Sequence, residues 1–340
     1  MIGFRNDYGQ GAHPDVLRAL CDTNLVRSKG YGIDAFCDDA ADKIRLEFAC
    51  PNAAVHFLPG GTLTNLTALS AFLRPYEAVI TAHSGHIAVH EAGAIEATGH
   101  RLLSLPSSDG KITPTDIAVA CAEHGDEHMV IPRLVYISNS TELGTVYSLA
   151  ELTALRACCD AHHLYLYMDG ARLAHALTSE ANDVSPAQIA SLTDAFYIGG
   201  TKNGAMFGEA LFITNAALMP HFRHAMKQRG AMLAKSHLMG VQFATLFTDK
   251  LYFRLGSYAN ALAARLQSEL LSMGIEFQTL SPTNLIFPIL DNAVVAALAK
   301  NYDFEIWCPM GNRTMIRLVT GWASTDAEVD KLVADLRRML

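Results

Sequence analysis

Two short apolar runs, a little over thirty residues apart, each end in a turn that carries an ionisable side chain, and few folds accommodate that pattern. Leu164-Tyr165-Leu166-Tyr167-Met168 has the length of a buried strand and stops at Asp169-Gly170-Ala171-Arg172. Ala195-Phe196-Tyr197-Ile198 is a second such run and stops at Gly199-Gly200-Thr201-Lys202. In open α/β sheets, ligands bind beyond the carboxyl ends of the strands. An aspartate at one strand end and a lysine after a glycine turn at another suit pyridoxal 5'-phosphate. Asp169 would pair with the pyridinium nitrogen and Lys202 would form the Schiff base. Singly, Asp169 reads equally well as a helix cap and Lys202 as a solvated loop lysine. The pair, with its glycine-rich turn, favours the cofactor.

The 340 residues leave room for a large domain and a smaller one. Half are apolar and 18% charged, enough for a sizeable core. A net charge of −8 without any basic stripe argues against nucleic acid as a partner. Cysteines 21, 37, 50, 121, 158, 159 and 308 show no zinc-like spacing. No metal is expected, and reduced thiols in a cytoplasmic protein are the simplest reading. The first seven residues lack the apolar core of a signal peptide, and no run approaches the ~20 apolar residues of a membrane span. A soluble chain is expected.

Along the chain, strands alternate with helices. Helices are expected over 13–23, with Pro14 early, and over 35–49, behind an Asp34 cap. The strand 55–58 runs into Pro59-Gly60-Gly61-Thr62 and a helix to Leu73, an arrangement that binds phosphate through backbone amides and the helix dipole. It also makes an ordinary tight turn. Strands over 78–81, 101–105 and 134–138 and helices over 113–123 and 149–162 continue the alternation. Ala210 to Thr214 reads as a further strand, at an edge. The pattern predicts a mostly parallel sheet covered on both faces. Residues 216–273 are nearly all helical by pattern. Short strands near 275–277, 285–287, 303–306 and 315–319, with helices at 291–300 and 324–339, then suggest a separate α+β unit. The division is drawn as 1–245 and 246–340.

His83, His86 and His90 follow a strand and lie near the same sheet edge. Arg317, amid Met315-Ile316 and Leu318-Val319, needs a partner, either a substrate carboxylate or an internal acid. Arg229 and Lys235 read as phosphate ligands or as a solvated helix face.

With Tyr167-Met168-Asp169-Gly170-Ala171-Arg172-Leu173 and Gly199-Gly200-Thr201-Lys202 in hand, the chain resembles the threonine aldolase and β-eliminating lyase family of pyridoxal-phosphate enzymes over essentially its whole length. The resemblance implies an aspartate-aminotransferase-like fold of type I: a large domain with a mostly parallel seven-stranded sheet and a small α+β C-terminal domain. It implies a phosphate loop at Gly60, Gly61 and Thr62, and it places His86 on the pyridine ring with Glu91 behind it. It also implies Asp169 as the pyridinium partner, Arg172 beside the cofactor oxygen and substrate carboxylate, Thr201 as a hydroxyl before the Schiff-base Lys202, and Arg317 as a carboxylate-binding arginine. Tyr31-Gly32-Ile33-Asp34 matches a family Tyr-Gly-Glu-Asp. Four segments depart, one of them Asn203-Gly204-Ala205-Met206-Phe207-Gly208-Glu209 after Lys202. Asn6 stands where a substrate-touching serine is common. Ser138-Asn139-Ser140-Thr141-Glu142 stands for a Glu-Asn-Thr-His segment, and Val319-Thr320-Gly321 for Val-Thr-His.

The implied reaction is aldol cleavage of a β-hydroxy-α-amino acid to glycine and an aldehyde, with His86 as candidate base. β-Elimination, racemisation and an inactive relative of the fold are the alternatives. A homodimer or homotetramer is expected, with Tyr31, Arg229 and Lys235 acting across the subunit boundary.

Overall fold

A computed structural model describes residues 1–340. The chain opens with a two-residue strand, β1 (Ile2–Gly3), and then alternates helices with seven longer strands. These are β2 (Ala54–Leu58), β3 (Glu77–Ala82), β4 (Arg101–Leu105), β5 (Ile131–Ser138), β6 (Tyr165–Asp169), β7 (Ala195–Gly199) and β8 (Glu209–Ile213). They form one sheet in the order β2-β8-β7-β6-β5-β3-β4. Strands β3 to β7 pair in parallel, and β8 runs antiparallel to both of its neighbours. Strand β8 was expected at an edge and lies inside the sheet instead. Every one of its residues is buried, as a strand covered on both faces requires.

Strand alternation decides what faces where. Leu166 and Met168 of β6 enter one core with Val135, Phe196 and Phe212. Tyr167 enters the other with Tyr136, Tyr197 and Leu69. Asp169 is two residues on from Tyr167, so its carboxylate emerges on the tyrosine face. Each fully buried large apolar side chain contributes roughly 1.5–3 kcal/mol.

The helices start where their caps dictate. Asp34 accepts hydrogen bonds from the amides of Phe36 and Cys37. Capping boxes open the helices Pro114–Ala122, Leu149–Ala161, Pro186–Leu192 and Asp326–Met339. No helix is long and apolar enough to cross a membrane.

The C-terminal unit holds β9 (Glu276–Phe277), β10 (Leu285–Ile286), β11 (Pro288–Asp291), β12 (Tyr302–Asp303), β13 (Glu305–Met310) and β14 (Arg313–Val319). Its antiparallel sheet has the order β10-β14-β11-β9, with β13 on β14. Two features depart from the expected division at 245. Strand β1 pairs with β12, and Phe4 sits in the small core with Leu262 and Tyr302, so the first residues belong to the C-terminal unit. The helix Leu251–Ser272 serves both units. Leu251, Tyr252 and Leu255 enter the large core, while Leu262, Leu266 and Leu270 enter the small one. A boundary inside a continuous helix leaves no turn signal in the sequence. Where this helix crosses Leu173–Leu177, a Cβ on Gly256 would sit 2.8 Å from the Ala174 backbone, so the close crossing requires glycine.

Candidate active site

Strands β2, β3, β5, β6 and β7 all point their carboxyl ends the same way, and β8 begins there. The turns beyond those ends enclose a cavity of about 510 Å³ closed on its far side by β13 and β14. Lys202, Arg172, His86, Gly60, Gly61 and Thr62 all line it, as do Thr201 and Arg317. These eight residues come from five separate stretches of the sequence and meet in one cavity.

Asp169 lies beneath the cavity and is buried. Tyr136 and Asn65 donate to its Oδ2, the latter at 3.1 Å, and the Ala171 amide donates to Oδ1 at 2.9 Å. Asn65 also donates to Glu91 at 2.8 Å and accepts from Tyr167 at 3.1 Å. Burial alone would raise the Asp169 carboxyl. The His86 charge and hydrogen bonds from Tyr136 and Tyr197 outweigh it and hold the group below its ordinary range. The result is a buried carboxylate that stays ionised. Tyr136, Tyr197 and Asn65 were not singled out from the sequence. For Tyr136 and Tyr167 the signal was present, because each precedes a strand end by two residues. They face each other in register with rings stacked 5.8 Å apart.

Lys202 follows the Gly199-Gly200 turn. Burial and the Arg172 charge push its ammonium below the ordinary lysine range. The turn is clamped by Glu209, the first residue of β8. The Thr201 hydroxyl donates to Glu209 Oε1 at 2.8 Å and the Gly200 amide to Oε2 at 2.9 Å. Thr201 also accepts from the Gly208 amide at 3.0 Å. The hydroxyl read as a cofactor ligand is therefore spent on shaping the lysine's turn. Burial raises the Glu209 carboxyl to about 7, against the Thr201 and Gly200 hydrogen bonds. A glutamate opening an otherwise apolar strand was the sequence signal for it.

The residues fit pyridoxal phosphate. Gly60 precedes the helix Gly61–Phe72 with no side-chain cap, so the first amides of a twelve-residue helix are left open toward the cavity. Such amides favour a phosphate. A Cβ on Gly61 would come within 3.1 Å of the Tyr197 hydroxyl, so the approach is held open by glycine. An ionised carboxylate, a lysine of lowered basicity and an uncapped helix start face one space, and that donor set matches the three polar ends of the cofactor.

The cavity also carries charge for a substrate. Arg172 is gripped by Asp7, Nε to Oδ2 at 2.7 Å and Nη2 to Oδ1 at 3.0 Å. Burial would raise the Asp7 carboxyl, but the Arg172 charge outweighs it and holds it far below the usual range. Asp7 was not foreseen; its neighbour Asn6 was. The Asn6 carboxamide accepts from the Tyr8 amide at 3.1 Å and does not line the cavity, so it shapes a turn. Arg317 pairs with Glu305 and lies over the Trp307 ring at 5.1 Å, with its Nε unpartnered. Burial and Arg172 lower its basicity. His86 Nδ1 meets Glu91 at 2.8 Å. Burial works against His86 protonation, but Glu91 and the Asp169 charge prevail and raise it. His90 and Glu142 also line the cavity and were not predicted as site residues.

Tyr31, Arg229 and Lys235 are not brought to the cavity within this chain. Tyr31 lines a separate hollow with Arg223 and Met232. Its amide donates to Ala234 at 3.3 Å, and Lys227 lies 4.5 Å from its ring centre.

The family described as Beta-eliminating lyase matches residues 28–293. A low specificity L-threonine aldolase of a Pseudomonas species is 31% identical over 99% of this chain and 97% of its own. A solved threonine aldolase of Leishmania major is 48% identical, with a TM-score of 0.99 over 100% of this chain and 99% of its own. The N-succinyldiaminopimelate aminotransferase of Mycobacterium tuberculosis, 16% identical, superposes with a TM-score of 0.75 over 99% of this chain and 93% of its own; that likeness concerns the fold alone.

Proposed function

The chain belongs to the beta-eliminating lyase family, and on that premise we propose that it is a pyridoxal-phosphate-dependent carbon–carbon lyase. Its substrate is a β-hydroxy-α-amino acid of the threonine, allo-threonine or phenylserine type, split into glycine and an aldehyde. The carrying observation is that Lys202 and the uncapped helix start at Gly60 face one cavity, with an ionised Asp169 buried beneath it. The names borne by its relatives support the choice of substrate.

Pyridoxal phosphate, when bound, draws electrons away from the Cα of the amino acid joined to it. The chain's own residues do the rest. Asp169, ionised, would favour a proton on the ring nitrogen. The depressed basicity of Lys202 leaves more of its amine neutral, the form that attacks an aldehyde and later accepts a proton. The amides at Gly61 and Thr62 would hold the phosphate, and His86 would lie against the ring. Arg317, which lines the cavity beside Arg172, would bind the substrate carboxylate.

The working unit is a homodimer or homotetramer. Support comes from an exposed apolar stretch, with Leu25 at 91% and Ile33 at 58% exposure, next to the Tyr31 and Lys235 that the cavity lacks. Seven unpaired cysteines support a reducing, cytoplasmic setting.

The test is to reconstitute the purified protein with pyridoxal phosphate and supply L-threonine, L-allo-threonine and phenylserine. Equal amounts of glycine and aldehyde are expected from at least one. A protein that binds the cofactor and releases aldehyde from none of them refutes the aldol step.

A further inference from the structure

We propose that Glu142 is the group that accepts the proton of the substrate's β-hydroxyl. The proposal rests on the lyase reading above and assigns its base.

Glu142 follows β5, the strand beside the one carrying Asp169, and it lines the same cavity as Lys202, His86 and Arg317. Its two oxygens are treated differently. Oε1 accepts from the Ser138 hydroxyl at 2.7 Å and from the His86 amide at 2.9 Å. Oε2 has no partner in the protein and is not sealed away from the cavity. One oxygen is anchored and the other is presented, the arrangement a positioned base needs.

The rival groups are engaged elsewhere. His86 spends Nδ1 on Glu91, and Glu91 with Asp169 favours its cationic form, which has no free lone pair to take a proton. Burial and the neighbouring His86 weaken His90 as a base. Glu305 is taken by Arg317. Burial and the Asp169 charge raise the Glu142 carboxyl above its ordinary range, against the Ser138 hydrogen bond. A carboxylate of higher basicity is better matched to a hydroxyl proton near neutral pH.

The step balances without an oxidant. The hydroxyl O–H breaks, its proton goes to Glu142 and the oxygen's electron pair closes the aldehyde C=O. The Cα–Cβ bond breaks and leaves its pair on the glycine Cα, which then takes a proton. Glu142 returns its own to solvent, so substrate equals glycine plus aldehyde.

The glycine half-reaction separates the roles, because exchange of the glycine Cα hydrogen with deuterium uses Lys202 and Asp169 but no hydroxyl. In Glu142→Gln holoenzyme, kcat/KM for aldehyde release should fall ~10²–10⁴-fold. Glycine exchange and the Kd for pyridoxal phosphate should stay within about threefold of wild type, since the Gln oxygen keeps the Ser138 and His86 contacts. Aldehyde release retained within about tenfold in the variant, or exchange falling in parallel with it, would overturn the assignment. A wild type that exchanges glycine but cleaves nothing would overturn the lyase reading and the base together. If Glu142→Gln does not fold, Glu142→Asp serves. Pulled back by one methylene, it should lose aldehyde release by about 10²-fold with exchange intact, and equal loss of both would count against Glu142.

Discussion

The two walls of the cavity hold their charges in different ways. On the large-domain wall, Arg172 is held at two points by Asp7 of the N-terminal segment, which itself accepts from Asn284 of the small unit at 2.9 Å. The Asp169 oxygens accept from Tyr136, Asn65 and the Ala171 amide, among others. On the small-domain wall, Arg317 has one acid, an aromatic face and a buried Nε with no partner. The first wall is a closed set of contacts built on strand ends, fixed before any ligand arrives. The second keeps spare donor capacity. A site that must hold a cofactor rigidly and exchange substrates each turnover needs both kinds of wall.

The largest effect should come from the fixed wall. Lys202→Ala is expected to abolish the visible absorbance of the reconstituted protein and all aldehyde release; retention of both would remove the lysine from the chemistry. Asp169→Asn keeps the shape and loses the charge, so kcat should fall ~10²–10³-fold with the phosphate end of the cofactor still bound. The sharpest contrast pairs one change on each wall. Asp7→Ala leaves a buried guanidinium unpaired and should cost ~3–5 kcal/mol of stability in urea unfolding. Arg317→Ala removes a charged hydrogen bond worth about 1.5–3 kcal/mol, which is a rise in KM of roughly 10- to 100-fold, with the unfolding midpoint nearly unmoved. If Arg317→Ala destabilises as much as Asp7→Ala, the two walls are not different in kind.

The smallest effect tests how dry the fixed wall is from behind. His175 is fully buried there with both ring nitrogens unpartnered, and burial lowers its basicity from 6.5 to about 4. Between those values the unfolded chain binds a proton that the folded chain refuses. Stability is therefore full above pH 6.5 and is lost as pH falls toward 4, by up to ~3 kcal/mol. His175→Asn should flatten the pH dependence of stability in that window. An unchanged slope would mean that His175 is protonated in the fold.

Much of this was legible in the sequence because strands announce their ends. Asp169 and Lys202 each close an apolar run, and Gly60-Gly61 separates a strand from a helix, so their convergence followed from a parallel sheet. Partners supplied across long separations were not legible. Asp7 reaches Arg172 over 165 residues, and nothing local in Asn6-Asp7-Tyr8 says which side chain turns inward. Glu209 needed the antiparallel register that sets it opposite Gly199. One helix passes through both cores, so no turn in the sequence marks where one unit ends and the other begins.

The central claim is that Lys202 is the residue joined to pyridoxal phosphate above Asp169. The most direct measurement is to reconstitute the protein, fix the lysine–cofactor bond with borohydride, digest, and locate the added mass by tandem mass spectrometry. One modified peptide, carrying the label on Lys202, is predicted. Label on another lysine such as Lys235, or none on a protein that has taken up the cofactor, would contradict it.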